Sequence, residues 1–318
     1  MRSRLAASQF GPVSGPKRSE SMMNRVHLRH SMLRTIGVAA AGLLLAGTFS
    51  ACSTVTPAGG DASAVDTLER GAEQGYLRVG IANEPPYTEV NADGSVHGAE
   101  PDVLRAVLQT MGIKEIQGII TPYDAMIPGL NADRWDVVAA GLFMKQSRCA
   151  AVAYSEPVIV STESFGTLPG NPKDITTIAD ILANPDLKIA VLSGGFEEGI
   201  LKTAEVPSGQ QVLVKDARSG MEAVTANRAD AFLLPTLSLK SLIEQDPSIE
   251  VTAPIEDAPR TGSGAAFRKG DTKLLAAYTK ALAAFKETPE FAEILTKWGF
   301  DPTVVEGVTA EELCKTEG

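Results

Sequence analysis

Histidine is nearly absent from this chain: there are three in 318 residues, and only His97 lies beyond residue 51. Nucleophilic hydrolysis with an imidazole base would have to be built on His97. That residue sits in Gly94-Ser95-Val96-His97-Gly98, which has the composition of a solvated turn. Cysteine is equally scarce, with Cys52, Cys149 and Cys314 far apart, so no close pair supports a zinc site. No phosphate-binding P-loop or dinucleotide fingerprint occurs, and no cofactor is expected. The apolar run Ile36–Ala46 has 11 residues, short of the roughly 20 that span a bilayer. A basic excess is missing too. The formal net charge is −10, whereas neutralising a nucleic-acid backbone needs clustered Lys and Arg. Catalysis is not excluded by this, only unsupported, and binding has the better material.

The first 51 residues differ in kind from the rest. They carry Arg2, Arg4, Lys17, Arg18, Arg25, Arg29 and Arg34 against one acid, Glu20, which leaves about −16 on the remainder. A basic leader, the Ile36–Ala46 run and then Phe49-Ser50-Ala51-Cys52 form the pattern of an export signal. Met22, Met23 and Met32 are alternative starts for it. Cysteine after Ser-Ala resembles a bacterial lipobox, with Cys52 as the lipidated first residue. The alternative is an ordinary cleaved signal beside an incidental cysteine. Two acyl chains on Cys52 would suffice for stable anchoring. The expected organisation is a signal peptide with lipobox over 1–51 and a small, polar, flexible spacer over 52–65. The protein would be an extracytoplasmic lipoprotein on the outer face of the cell membrane. Cys149 and Cys314 then form an even pair in an oxidising compartment, which suggests a disulfide, with two unrelated buried thiols as the alternative.

Past the spacer, strand-type and helical patterns alternate. Leu77–Ala82, Ile116–Thr121 and Asp136–Gly141 read as strands, with helical spacing over Asp102–Met111 and Ala125–Leu130. Pro128 would fall in the first turn of the second helix, where proline is tolerated. The second half repeats the idea. Helices are expected over Ile175–Leu182, from Gly195 to about Ala204, and over Ser219–Ala226. Strands are expected over Leu187–Leu192, Gln211–Val214 and Ala231–Leu234. A turn-rich stretch, a strand at Ala265–Arg268 and helices at Thr272–Lys286 and Pro289–Trp298 complete the chain. The pattern predicts an α/β protein of two halves, with parallel sheets covered by helices.

Aromatics make up only 5% of the chain, yet Tyr87, Tyr123 and Phe143 each lie just after a strand. The C-terminal ends of parallel strands converge on a crevice where ligands bind. Arg148, five residues beyond Phe143 in the same loop, offers a planar fork that matches a carboxylate. Glu84, at the end of the first strand, can neutralise a cation, and three aromatic faces suit one. Arginine, acid and aromatics together describe a site for a small zwitterion. Core aromatics beside a surface arginine are the equally simple alternative. Ser193-Gly194-Gly195 before a helix is a weak further candidate for holding an anion.

The segment YDAMIPGLNADRWDVVAAGLFMKQSRCAAVAYSEP resembles the core of the family 3 solute-binding proteins, which feed polar amino acids to ABC importers. GAEPDVLRAV, ADAFLLP, GAAFRKGD and KWGF add to the likeness, which covers about residues 70–315. Within that family, IANEPPYTEV, YDAMIPGL, AAGLFMK and SRCAAVAYS are most similar to binders of ectoine and hydroxyectoine. The resemblance implies a bilobed periplasmic-binding-protein-like (type II) clamshell, with two α/β lobes joined by a two-strand hinge. Lobe 1 would comprise 66–157 and, on its return, 264–318; lobe 2 with the hinge strands would comprise 158–263. It further implies a monomeric, non-enzymatic receptor that delivers an ectoine-like compatible solute to ABC permease subunits. Arg148 would hold the carboxylate, Tyr87, Tyr123 and Phe143 would box the cationic ring, and Glu84 would take its N–H groups. Gly195, Phe196 and Glu197 would contribute from lobe 2.

Two departures stand out. Amino-acid binders of the family usually have an aspartate for the free α-amino group where this chain has Pro235, and Phe196 stands where the ectoine binder has a threonine. A tyrosine, Tyr87, also replaces a phenylalanine, keeping the π-face. The alternatives are a receptor for another small zwitterion, such as a betaine, an opine-like compound or a polar amino acid, and a dehydratase using Glu84 or Glu197.

Overall fold

The computed structural model describes residues 66–317, so the expected signal peptide, the lipobox with Cys52 and the spacer lie outside the described residues. Lobe 1 begins with α1 (Thr67–Gln74), capped by the Asp66 side chain, which accepts from the Leu68 N–H. There follow β1 (Tyr76–Ile81), the short hairpin β2 (Glu89–Val90) and β3 (Val96–His97), and α2 (Ala99–Thr110). Next come β4 (Glu115–Ile120), α3 (Tyr123–Asn131), β5 (Val137–Val138), α4 (Gln146–Ala151) and β6 (Ala153–Tyr154). The chain then crosses on β7 (Ile159–Ser161) into lobe 2.

Lobe 2 contains β8 (Glu163–Thr167), α5 (Ile178–Ala183), β9 (Ile189–Leu192), α6 (Phe196–Thr203), β10 (Gln211–Val214), α7 (Ala217–Thr225), β11 (Ala231–Pro235), α8 (Thr236–Gln245) and β12 (Glu250–Val251). The chain returns on β13 (Thr261–Ser263) and ends in lobe 1 with β14 (Ala266–Phe267), α9 (Thr272–Lys286), α10 (Pro289–Lys297) and α11 (Ala310–Leu313). The two crossing strands β7 and β13 pair antiparallel, Val160 opposite Gly262.

Each lobe is built on one five-stranded sheet, ordered β4-β1-β5-β14-β6 in lobe 1 and β10-β9-β11-β8-β12 in lobe 2. The expectation of parallel sheets is corrected here, because both are mixed. Four strands in each point the same way and one is reversed: β14 runs antiparallel to β5 and β6, and β8 antiparallel to β11 and β12. The reason is the crossing. The chain enters each lobe from the hinge on the reversed strand, β8 in lobe 2 and β14 in lobe 1, against the direction of the βαβ units.

Packing follows the sequence pattern. Leu77, Val79 and Ile81 of β1 are fully buried. The predicted stripe Val103, Leu104, Val107 and Leu108 of α2 is buried in the same apolar cluster as Leu274, Tyr278, Leu282 and Phe285 of α9. At the base of lobe 1, fully buried Asp136 receives Arg70 at 2.6 Å and Arg78 at 2.7 Å, tying α1 and β1 to the start of β5. Three local expectations change. α3 opens at Tyr123, two residues early, so Pro128 falls in its second turn. The segment after Pro235, expected to be turn-rich, is the helix α8. His97 lies on β3 rather than in a turn, with its Nδ1 3.4 Å from Asp102. Among the described residues no helix is long and apolar enough to cross a membrane.

Candidate ligand-binding site

The parallel strands of both sheets end toward the same cleft. Glu84 follows β1, Tyr123 follows β4, and Gly141 and Phe143 follow β5. Leu192 ends β9, Gly195 caps α6, and Pro235 ends β11. Those residues, with Tyr87, Arg148, Phe196 and Glu197, line a single cavity. All eight ligand-binding residues proposed from the sequence are therefore brought together. The space left between them is small, about 10 Å³ for the centre of a water molecule. A solute of several heavy atoms does not fit in that space as it stands.

Arg148 is neither in a loop nor on the surface. It sits in α4 and is 6% exposed. Its Nη1 donates to the Phe143 carbonyl in lobe 1 at 2.7 Å, and its Nη2 to the Gly194 carbonyl in lobe 2 at 2.8 Å. A guanidinium has five N–H donors in a fork, so the donors beyond these two remain for a carboxylate. The helix that carries it is held from behind. Cys149 and Cys314 form a disulfide with Cα atoms 5.8 Å apart, the Gln146 N–H donates to the Thr316 carbonyl at 3.0 Å, and Met144, Val308 and Leu313 pack beside the bridge.

The aromatics pack edge to face. Tyr87 meets Phe143 at 5.7 Å between centroids and Phe300 at 5.0 Å, and Phe143 meets Phe196 across the cleft at 5.8 Å. The Tyr87 hydroxyl pairs with Ser161 of the crossing strand. Gly141 has φ +66° and presses its Cα against the Tyr87 ring, where an added Cβ would lie 2.8 Å from a ring carbon. This is a position for glycine on both counts. Its N–H donates to buried Glu100 at 2.8 Å.

Buried carboxyls dominate the electrostatics. Glu84 accepts from Ser238 Oγ at 2.6 Å and faces the Tyr123 hydroxyl at 3.3 Å; that hydroxyl also lies 3.0 Å from the Ala140 carbonyl. Burial pushes Glu84 up to about 7, against the Ser238 hydrogen bond that favours its anion, with the Glu197 charge adding to the rise. Glu197, in the first turn of α6, is itself raised by burial. Its neighbour Glu163 is raised well above the carboxylate range by burial and by the Glu197 charge. Neither Glu163 oxygen has a hydrogen-bond partner in good geometry, and burial opposes its charge. Lys145, lowered to about 8 by burial and by Arg148, reaches across to Phe196, its Nζ 5.6 Å from the ring centroid. The Gly194 N–H is already taken by Glu198 at 2.6 Å. The glycine turn is therefore no free anion cradle. Among the described residues no cluster of His, Cys, Asp or Glu is arranged to hold a metal ion.

Sequence reasoning missed Glu163, Ser238, Lys145 and Phe300. Glu163 had a signal, as the one charge in the strand-like run Val158–Gly166, whereas Ser238 had none.

Two α/β lobes, two crossing strands and an interlobe cleft lined by arginine, acids and aromatics define a bilobed solute receptor. The chain belongs to the bacterial extracellular solute-binding proteins, family 3, whose model matches residues 77–301. These are receptors rather than enzymes, and they serve ABC importers. The chain is 45% identical to EhuB, in a crystal structure of its complex with hydroxyectoine; the TM-score is 0.76, over 79% of this chain and 99% of that one. It is 31% identical over 259 residues to a probable amino-acid ABC transporter periplasmic-binding protein of Sinorhizobium fredii, covering 78% of this chain and 86% of that protein. The L-cystine-binding protein TcyJ of Escherichia coli is 27% identical over 241 residues, 74% of this chain and 87% of that protein.

Proposed function

We propose that this protein is a lipid-anchored extracytoplasmic receptor that captures ectoine or hydroxyectoine and hands it to the permease of an ABC importer. The observation that carries the reading is the convergence of Arg148, Glu84, Tyr87, Tyr123, Phe143 and Phe196 on one interlobe cavity. The likeness to EhuB supports it, since that protein is seen in complex with hydroxyectoine. Arg148 takes the solute carboxylate through its remaining N–H groups, in the charge-assisted geometry that suits a planar anion. The aromatic edges and faces enclose the delocalised cationic ring, at about 0.5–2 kcal/mol per cation–π contact. Glu84 accepts the ring N–H groups when ionised. Pro235 at the cavity wall supplies no side-chain acceptor, which suits a cation without a free primary amine. Gly195 and Glu197 close the site from lobe 2, and Cys52 carries the lipid.

A second reading, a receptor for a different compact zwitterion, is favoured by one feature. Phe196 places a ring against Phe143 where a polar donor would serve a hydroxylated ligand better. A thermal-shift panel on the domain tests both readings. Stabilisation by ectoine or hydroxyectoine alone supports the first, and stabilisation by a betaine or polar amino acid alone replaces it with the second. Membrane fractionation of wild type against Cys52→Ser tests the anchor, with release of the variant from membranes as the expected result.

A further inference from the structure

Glu84 is supplied by lobe 1, but its strongest hydrogen bond comes from lobe 2. Ser238, in the first turn of α8, has no exposed surface, and its Oγ lies 2.6 Å from Glu84 Oε1. The other donor in reach, the Tyr123 hydroxyl, has one proton to divide between Glu84 at 3.3 Å and the Ala140 carbonyl at 3.0 Å. Geometry gives that proton mainly to the carbonyl. Ser238 is therefore the chief donor to this acid.

The start of α8 is itself fixed to the crossing segment. The Thr236 N–H donates to the Thr162 carbonyl at 2.8 Å, and the Thr236 hydroxyl lies 2.9 Å from that of Thr162 and 2.8 Å from that of Ser164. Ser238 thus moves as part of lobe 2, anchored beside the strands about which the lobes turn. Separation of the lobes must break its contact with Glu84.

We infer that Ser238 is a positioning residue of the ligand site: closure brings its hydroxyl onto Glu84 and holds that carboxylate, ionised and oriented, against the N–H groups of the solute. The inference rests on the reading of Glu84 as the acid that meets the ligand. It makes lobe closure and recognition of the cationic end a single event, because the acid is fully set only when lobe 2 has arrived. The titratable groups facing Glu84 are Glu197 from α6, Glu163 from β8, Tyr123 from α3 and Tyr87 from its own loop, while Lys215, Asp216, Arg218 and Asp246 of lobe 2 and Glu89 of β2 line the openings beside it. None of these except Tyr123 donates a hydrogen bond to it.

The test uses the domain with and without ligand. Carboxyl-carbon NMR, with the Glu84 signal assigned through Glu84→Gln, follows its titration in the closed, hydroxyectoine-bound protein, where the Ser238 contact is made. Loss of a donor to the anion moves the midpoint upward in Ser238→Ala and leaves it near wild type in Ser238→Thr. Hydroxyectoine, where it binds, should dissociate faster from Ser238→Ala, with affinity lower by about ten-fold. The acid limb of its affinity against pH should move with the NMR midpoint. A Glu84 midpoint unchanged in Ser238→Ala overturns the inference, as does a midpoint that moves without any change in affinity. Failure of the wild type to bind ectoine or hydroxyectoine would instead overturn the solute assignment, and the same NMR comparison, run with whichever zwitterion of the thermal-shift panel binds, would decide whether Ser238 sets Glu84.

Discussion

Arg148 Nη2 donates to the carbonyl oxygen of Gly194 across the cleft at 2.8 Å, while Nη1 of the same guanidinium donates to Phe143 at 2.7 Å within lobe 1. One side chain thus touches both lobes and lines the cavity between them. Its removal should separate binding from folding. Arg148→Ala is expected to weaken a carboxylate ligand at least about 100-fold, by loss of a charge-assisted, forked contact. The fold should lose only about 1–2 kcal/mol, the cost of leaving two carbonyls without a donor. Calorimetric titration beside a denaturant melt reads both, and a stability loss with affinity intact would assign Arg148 to the fold.

Gly194 answers Arg148 from lobe 2 and has a steric duty of its own. Its φ is +71°, and a Cβ there would lie 2.7 Å from the Asp124 Cα at the start of α3 in lobe 1. Gly194→Ala is expected to hold the lobes apart. Ligand affinity should fall strongly, with about 1–2 kcal/mol of strain in the isolated protein. Small-angle scattering should show no contraction when ligand is added, and a normal contraction would contradict this.

The buried acids predict opposite pH trends for stability and binding. Glu84 is raised from an ordinary value of 4.5 to about 7. Its contribution to stability is fully present below pH 4.5 and is lost as pH rises through about 7, by up to about 3 kcal/mol. Glu100, Glu163 and Glu197 are raised in the same direction. Affinity for a cationic N–H group should instead grow across that interval, as Glu84 ionises. Denaturant melts and titrations at pH 5 to 8, repeated on Glu84→Gln, should show both slopes reduced in the variant.

The Cys149–Cys314 bridge closes a sequence separation of 165 residues. It ties the C-terminal tail to the helix that carries Arg148. Replacing both cysteines by serine should cost about 2–4 kcal/mol, with a smaller effect on ligand affinity. Mass spectrometry of the non-reduced peptide digest should recover the linked pair; two free thiols would contradict the bridge.

Much of this architecture is legible from apolar periodicity. The β1 run and the α2 stripe follow from burial on one face, and the site aromatics follow from their position just after strands. Elements that depend on distant partners are less legible. α8 reads as turn-rich because Pro235 and a run of Ser and Thr precede and interrupt its few apolar residues. It is held by contacts of Thr236 with Thr162 and Ser164, more than 70 residues away. The antiparallel β14 arrives only after the excursion through lobe 2, and local pattern carries no sign of its direction. Ser238 looks like any helix-surface serine until the opposite lobe supplies Glu84. Arg148 shows the same limit from the other side: its residue type suggested a carboxylate site, but its burial and its two carbonyl partners belong to the closed fold.

Isothermal titration of the refolded domain from residue 61 onward, with ectoine, hydroxyectoine, glycine betaine and a polar amino-acid panel, tests the central claim most directly. Refolding removes any solute carried through purification. The account predicts micromolar or tighter binding of ectoine or hydroxyectoine, abolished in Arg148→Ala, with the amino acids inert. Silence toward both solutes and tight binding of a polar amino acid would contradict it.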